Sequence, residues 1–289
     1  MSVPPGDADR IEFAARRLGM AVSSVEVLTG GLRNRCYGLS DNGRSVVVRI
    51  AGPHDGDYAV ARTTESLAQR TAAASGLAPR ILLEEPDLGL TVMERVPGEA
   101  WSRCLAGSPA GAALLGEWLG KLHALPAPDG MPGIDFVDSL GHYAAALGDD
   151  VAAMSLVEKA RATGAGLGRE TRTVLCHNDL HHLNIVGSAT WIVVIDWEYA
   201  GLGDPIMDLA GFTAYHDLDA VALQALLRSY SRQHALPSPE RLADARWLFE
   251  AVWWAWLALR STLEADEPPE AAGARRRLAA RLGINSAGS

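Results

Sequence analysis

The chain has 289 residues, with 26 Lys+Arg against 35 Asp+Glu and a formal net charge of −9. Hydrophobic residues make up 48% and charged residues 21%, which excludes a disordered chain and leaves room for about two domains or lobes. The acidic balance argues against a nucleic-acid partner, which needs a basic stripe over the phosphates, and fits a cationic small molecule.

Cys36, Cys104 and Cys176 are widely spaced and form no CxxC pair, so neither a disulfide framework nor a thiolate zinc site is expected. The first ten residues have no basic or apolar signal region, and the longest apolar run, Trp247 to Leu259, contains Glu250. That run is shorter than the ~20 residues a membrane span requires. A cytoplasmic protein with no membrane span is the expectation.

In chain order, Asp7 to Leu18 reads as a short helix. Val25 to Leu28, Cys36 to Leu39 and Ser45 to Ile50 read as three antiparallel strands, the last two joined by Asp41-Asn42-Gly43. Asn-Gly is a hairpin signal because both residues tolerate positive φ. A helix from Tyr58 to Ala74 follows, then strands Arg80 to Glu84 and Leu90 to Glu94. Val96-Pro97-Gly98 breaks both periodicities and is the candidate hinge. The predicted class is therefore α+β, bilobal. Residues 1–97 form a small lobe of five antiparallel strands and one inserted helix, and residues 98–289 a larger, mainly helical lobe. Its helices are expected over Ala110 to Leu125, Ser139 to Arg161, Leu218 to Gln233, Pro239 to Glu264 and Glu270 to Leu282, interrupted by strand-like runs from Val174 to Ile195.

Within that interruption, an apolar strand delivers His177-Asn178-Asp179-Leu180-His181-His182-Leu183-Asn184, and a second apolar strand ends in Ile195-Asp196. A hairpin of this kind brings Asp179, Asn184 and Asp196 to one end. A carboxylate that orients a hydroxyl, an amide oxygen and a second carboxylate are what Mg²⁺-assisted phosphoryl transfer requires. The alternative is a zinc cluster of His177, His181, His182 and Asp179, which leaves Asn184 and Asp196 unexplained.

His177-x-Asp179-x-x-x-x-Asn184 with Ile195-Asp196 resembles the catalytic loop and metal-binding acid of the protein-kinase-like small-molecule kinases. Ile195-Asp196-Trp197-Glu198-Tyr199-Ala200-Gly201 and Gly203-Asp204-Pro205-x-x-Asp208-Leu209-Ala210 resemble the aminoglycoside phosphotransferase and choline/ethanolamine kinase superfamily. Upstream, Thr29-Gly30-Gly31-Leu32-Arg33-Asn34-Arg35 resembles the nucleotide loop of choline-kinase-like members, Val48-Arg49-Ile50 their third strand and Arg62-x-x-Glu65 their first-lobe helix. The resemblance implies ATP as co-substrate and Mg²⁺ as cofactor, with Asp179 as catalytic base and Asn184 and Asp196 as metal ligands. His177 is a candidate catalytic-loop residue that fixes the backbone rather than moving a proton. Gly30, Gly31, Asn34, Arg49 and Glu65 fall to the nucleotide, Arg49 standing where most kinase-like folds carry Lys. Adenine is expected against the backbone from Glu94 to Val96. Asp208 reads as a helix cap or a brace for the loop, and Glu198 as a neighbour of the metal, the substrate or neither.

Phe249-Glu250-Ala251-Val252-Trp253-Trp254-Ala255-Trp256 places Trp253 and Trp256 on one helix face. Spacing alone favours core for such a stripe. Trp-x-x-Trp, however, resembles the helix that builds the aromatic box of choline kinases, with Tyr199 matching a third wall and Trp254 pointing into packing. The resemblance implies choline first and ethanolamine second as acceptor. An aminoglycoside, thiamine or another hydroxylated metabolite is the alternative, as is a catalytically silent nucleotide-binding scaffold.

Overall fold

The computed structural model describes residues 3–28, 34–52, 61–148, 150–167, 173–264 and 268–284. Gly30, Gly31 and the rest of the 29–33 loop lie outside the described residues, as do positions 58–60 of the expected helix. Strands β1 (Ser24–Leu28), β2 (Arg35–Asp41), β3 (Arg44–Ile50), β4 (Ile81–Glu85) and β5 (Leu90–Glu94) form one antiparallel sheet in the order β1-β2-β3-β5-β4. The β2–β3 turn holds Asn42 at φ 39 and Gly43 at φ 92, the left-handed values the dipeptide was expected to supply. Alternation sorts the two faces of β3. Val46, Val48 and Ile50 pack against helix α1 (Pro5–Arg17) through Ile11, Ala14 and Ala15, while Val47 and Arg49 face a cleft.

Helix α2 (Arg62–Ala73) buries Ala68 and Ala72 in the larger apolar core instead of the sheet core. That core is built from α4 (Pro109–Leu122), α5 (Phe136–Ala146), α6 (Val151–Leu167), α7 (Ile206–His216), α8 (Ala220–Tyr230), α9 (Pro239–Leu263) and α10 (Pro269–Leu282), with the single turn α3 (Arg103–Ala106) leading into α4. The single helix expected over Ser139 to Arg161 is two. Gly148 takes φ +70, and Asp150 starts α6 by accepting the Ala153 amide at 2.8 Å. Helix α7 entered the sequence reading only as a helix that Asp208 would cap, without bounds, because every residue from Ile206 to Ala214 is buried and the run carries no amphipathic period.

Two small sheets complete the fold among the described residues. One has the order β6-β8-β9, over Glu99–Ala100, Ile185–Gly187 and Ile192–Val194; the other pairs β7 (Val174–Cys176) with β10 (Gly201–Gly203). No helix among the described residues is long and apolar enough to cross a membrane.

Candidate active site

Strand β7 is buried throughout and delivers His177, Asn178 and Asp179 to the cleft. The loop is held from below by Asp208 of α7, whose carboxylate accepts the amides of His177 (2.9 Å) and Asn178 (2.6 Å) and lies 3.1 Å from His123 Nε2. Asp208 is thus a brace; the α7 amide of Ile206 is capped by Asp204. Asn178 sits at φ +66 and donates its side-chain amide to the Tyr199 carbonyl at 2.9 Å.

Both ring nitrogens of His177 are engaged with the backbone. Nε2 donates to the Ile195 carbonyl (3.1 Å) and Nδ1 accepts the Asp179 amide (3.3 Å). Burial pushes its pKa below the usual histidine range, so the ring is neutral. With no lone pair left, His177 does not join a metal cluster. The zinc alternative therefore lacks its first ligand. Among the described residues only His123, Cys176 and Asp208 form a group of three His, Cys, Asp or Glu side chains at metal-ligand spacing, and they belong to the buried brace, where His123 and Asp208 are already hydrogen-bonded.

Register explains how the loop meets the second acid. Ile185 of β8 pairs with Val194 of β9, and the Ile195 amide donates to the Asn184 carbonyl at 2.9 Å, so Asn184 and Asp196 emerge at the same end of the hairpin. Asn184 spends both amide hydrogens on Asp179, at 2.9 Å to its carbonyl and 3.0 Å to Oδ2. Among the described residues no donor is hydrogen-bonded to Asn184 Oδ1; Asn184 lines the same cleft as Asp196, which takes φ +62.

Above the acid lies a buried ionic network. Arg49 pairs with Glu65 and stands 3.4 Å from Asp196 Oδ1. Arg62 donates to Glu65 (2.9 Å) and to Asn34 Oδ1 (3.1 Å), and Asn34 donates in turn to Glu198 (2.8 Å). Burial works against the Glu65 charge, yet Arg49 and Arg62 hold its carboxyl below the usual range. For Asp196 the balance reverses: burial, then the Glu198 carboxylate, push it well above that range despite Arg49. A crowd of carboxylates with one amide oxygen is a hard-oxygen donor set short of positive charge. The residues therefore fit Mg²⁺, which Asn184 Oδ1 and Asp196 would hold.

At the far end of the cleft, Val96 lines the wall, while the Glu94 amide is taken by the Arg80 carbonyl (2.9 Å) and its side chain by the Arg80 guanidinium. On the other side, Trp253 and Trp256 are half-buried and line the cavity with Tyr199, whereas Trp254 is core. Trp253 and Trp256 pack against the large apolar core and also border the opening, so the same helix face serves both. Trp256 Nε1 donates to the Tyr199 hydroxyl at 2.8 Å. The sequence reading missed Tyr215, whose hydroxyl donates to Asp179 Oδ1 at 2.7 Å and whose ring meets Trp253 edge-on at 4.5 Å. Its signal was the spacing Asp208, Phe212, Tyr215, one face of one helix aimed at the loop. The cavity has a volume of about 1770 Å³. A single drug-sized ligand typically needs roughly 300–1,000 Å³, so two ligands fit.

The model of the family described as "Phosphotransferase enzyme family" matches residues 24–244. The chain is similar to the protein LicA of Haemophilus influenzae, 32% identical over 92 residues; the match takes in 29% of this chain and about a third (34%) of that relative's length. Among solved structures, a choline/ethanolamine kinase family protein from Mesorhizobium loti aligns with TM-score 0.77 at 23% identity, covering 97% of this chain and 95% of its own. Choline kinase LicA from Streptococcus pneumoniae aligns at 0.79 and 19%, covering 96% and 99%. The macrolide 2′-phosphotransferase from Brachybacterium faecium aligns at 0.68 and 21%, covering 98% and 99%. At these identities the structures speak for the fold, a protein-kinase-like α+β architecture. With more than half its length matched by the family model, the chain belongs to the phosphotransferase enzyme family.

Proposed function

We propose that the chain transfers the γ-phosphoryl group of ATP to a hydroxyl of a small cationic metabolite, choline or ethanolamine. The observation that carries this reading is the aromatic wall of Tyr199, Trp253 and Trp256 in the same cleft as Asp179. Aromatic faces attract a desolvated ammonium group, each well-placed ring contributing ~0.5–2 kcal/mol. A cation on that wall sets its hydroxyl towards Asp179, whose carboxylate accepts the proton as the oxygen attacks phosphorus. His177 orients the Asp179 backbone and Asn184 its carboxylate. Arg49, fixed by Glu65, reaches phosphate oxygens from the sheet side, and Gly30 and Gly31 supply backbone amides from the loop. The chain from Glu94 to Val96 borders the adenine, making Val96-Pro97-Gly98 the hinge between nucleotide and acceptor lobes. Mg²⁺, when held by Asn184 and Asp196, neutralises phosphate charge.

Asp135, Asp138 and Glu270 also line the cavity. They favour, as a second reading, a bulkier polycationic acceptor such as an aminoglycoside. A coupled ADP-release assay with ATP, Mg²⁺ and a panel of choline, ethanolamine, thiamine and aminoglycosides separates the readings. Choline or ethanolamine is expected to give the highest kcat/KM, and turnover confined to aminoglycosides would replace the first reading by the second. Asp179→Ala is expected to lower transfer at least about 100-fold with ATP binding retained. Unchanged transfer would remove Asp179 as base.

A further inference from the structure

We propose that Tyr215 is a positioning residue that holds the Asp179 carboxylate and couples it to the aromatic wall, an inference that rests on the phosphotransfer reading above. A carboxylate turns easily about its terminal bond, which has a broad, roughly two-fold preference. Here both oxygens are fixed from different elements: Oδ2 by Asn184 Nδ2 at 3.0 Å, and Oδ1 by the Tyr215 hydroxyl at 2.7 Å. Each carboxylate oxygen accepts two hydrogen bonds, so the phenol leaves one position on Oδ1 for an incoming hydroxyl. The plane of the base is set before any acceptor arrives.

The phenol is itself clamped. Its ring meets Trp253 edge-on at 4.5 Å, Phe249 at 5.2 Å and His181 at 5.6 Å, and its carbonyl accepts from Arg103 at 2.7 Å. Helix α7 roots it through Asp208, the brace that already fixes the catalytic-loop amides. One helix therefore holds the base twice, at its backbone and at its carboxylate. Tyr215 also touches both Trp253 and Asp179, so the aromatic wall and the base share one side chain.

Tyr215→Phe tests this, because it removes one oxygen and keeps the ring against Trp253. Transfer is expected to fall about 10- to 100-fold in kcat, the scale of a small misplacement of a reacting group, with KM for ATP and the thermal midpoint unchanged. An unchanged kcat overturns the proposal. Crystal structures of the wild type and the variant give a second readout that needs no turnover. The Asp179 carboxylate is expected to rotate in Tyr215→Phe; an unmoved carboxylate overturns the proposal even if no acceptor in the panel is phosphorylated. Absence of wild-type turnover alone counts against the phosphotransfer reading, and the orientation of the carboxylate in the two crystals then decides the role of Tyr215.

Discussion

Asp208 touches neither the cleft ligands nor the proposed metal, yet the loop geometry depends on it. Its two oxygens accept two backbone amides and face His123 Nε2, all in a region sealed from water. Removing the carboxylate strands buried donors, at about 1–3 kcal/mol each. Asp208→Ala is therefore expected to lose about 3 kcal/mol or more of unfolding free energy in urea, and to lose phosphotransfer even at temperatures where it stays folded. Asp208→Asn is expected to recover only part of either, since its amide nitrogen turns a donor towards donors. Wild-type activity in a folded Asp208→Ala variant would show that His177 and Asn178 need no brace. Arg49 illustrates the opposite logic. A guanidinium stays charged when buried, where a lysine shifts its pKa readily, and Arg49 Nη1 meets Glu65 while standing near Asp196.

At the scale of elements, local chemistry and long-range packing divide the work. The β2–β3 hairpin was legible because Asn42 and Gly43 state their turn in two residues, and the β8–β9 hairpin because Asp179, Asn184 and Asp196 sit in one short stretch of chain. The bounds of helix α7 were not legible, since a helix buried nearly all round has no polar face to mark its period. Nor were the contacts of His123 with Asp208, 85 residues apart, or of Asn34 with Glu198, 164 apart, because side-chain types alone do not announce partners. Trp253 and Trp256 were ambiguous for a related reason: the same spacing serves a core and a cavity wall. Close helix contacts give a prediction of their own. Gly116 on α4 lies against α8 so tightly that an added Cβ would stand 2.3 Å from the Leu226 carbonyl oxygen. Elsewhere Gly→Ala stabilises a helix by up to ~1 kcal/mol. Here overpacking against backbone is expected to reverse the sign, so Gly116→Ala should be destabilised by about 1–3 kcal/mol in urea unfolding. An alanine variant at least as stable as wild type would mean that α4 and α8 separate freely.

For the whole molecule, a buried histidine makes stability depend on pH on the acid side. His216 is buried at the end of α7, its Nδ1 donating to the Phe212 carbonyl at 2.9 Å and its Nε2 without a hydrogen-bond partner among the described residues. Burial above all, then His182, Arg103 and His181, lower its pKa to about 3, against the Phe212 carbonyl that favours the charged ring. In the unfolded chain the ring titrates near 6.5. Below pH 6.5 the unfolded state thus binds a proton that the folded state refuses, and stability falls as pH falls, down to about 3. Between pH 7 and pH 5 this one group is expected to cost about 2 kcal/mol of unfolding free energy. The measurement is urea unfolding of wild type and His216→Phe across that range. The phenylalanine ring keeps the contact with Phe212, now 4.4 Å between centroids, and removes the titration. The variant should therefore gain on the wild type by about that amount as the solution is acidified. Parallel pH profiles for the two proteins would mean that His216 takes up its proton in the folded state, and that the end of α7 opens to water.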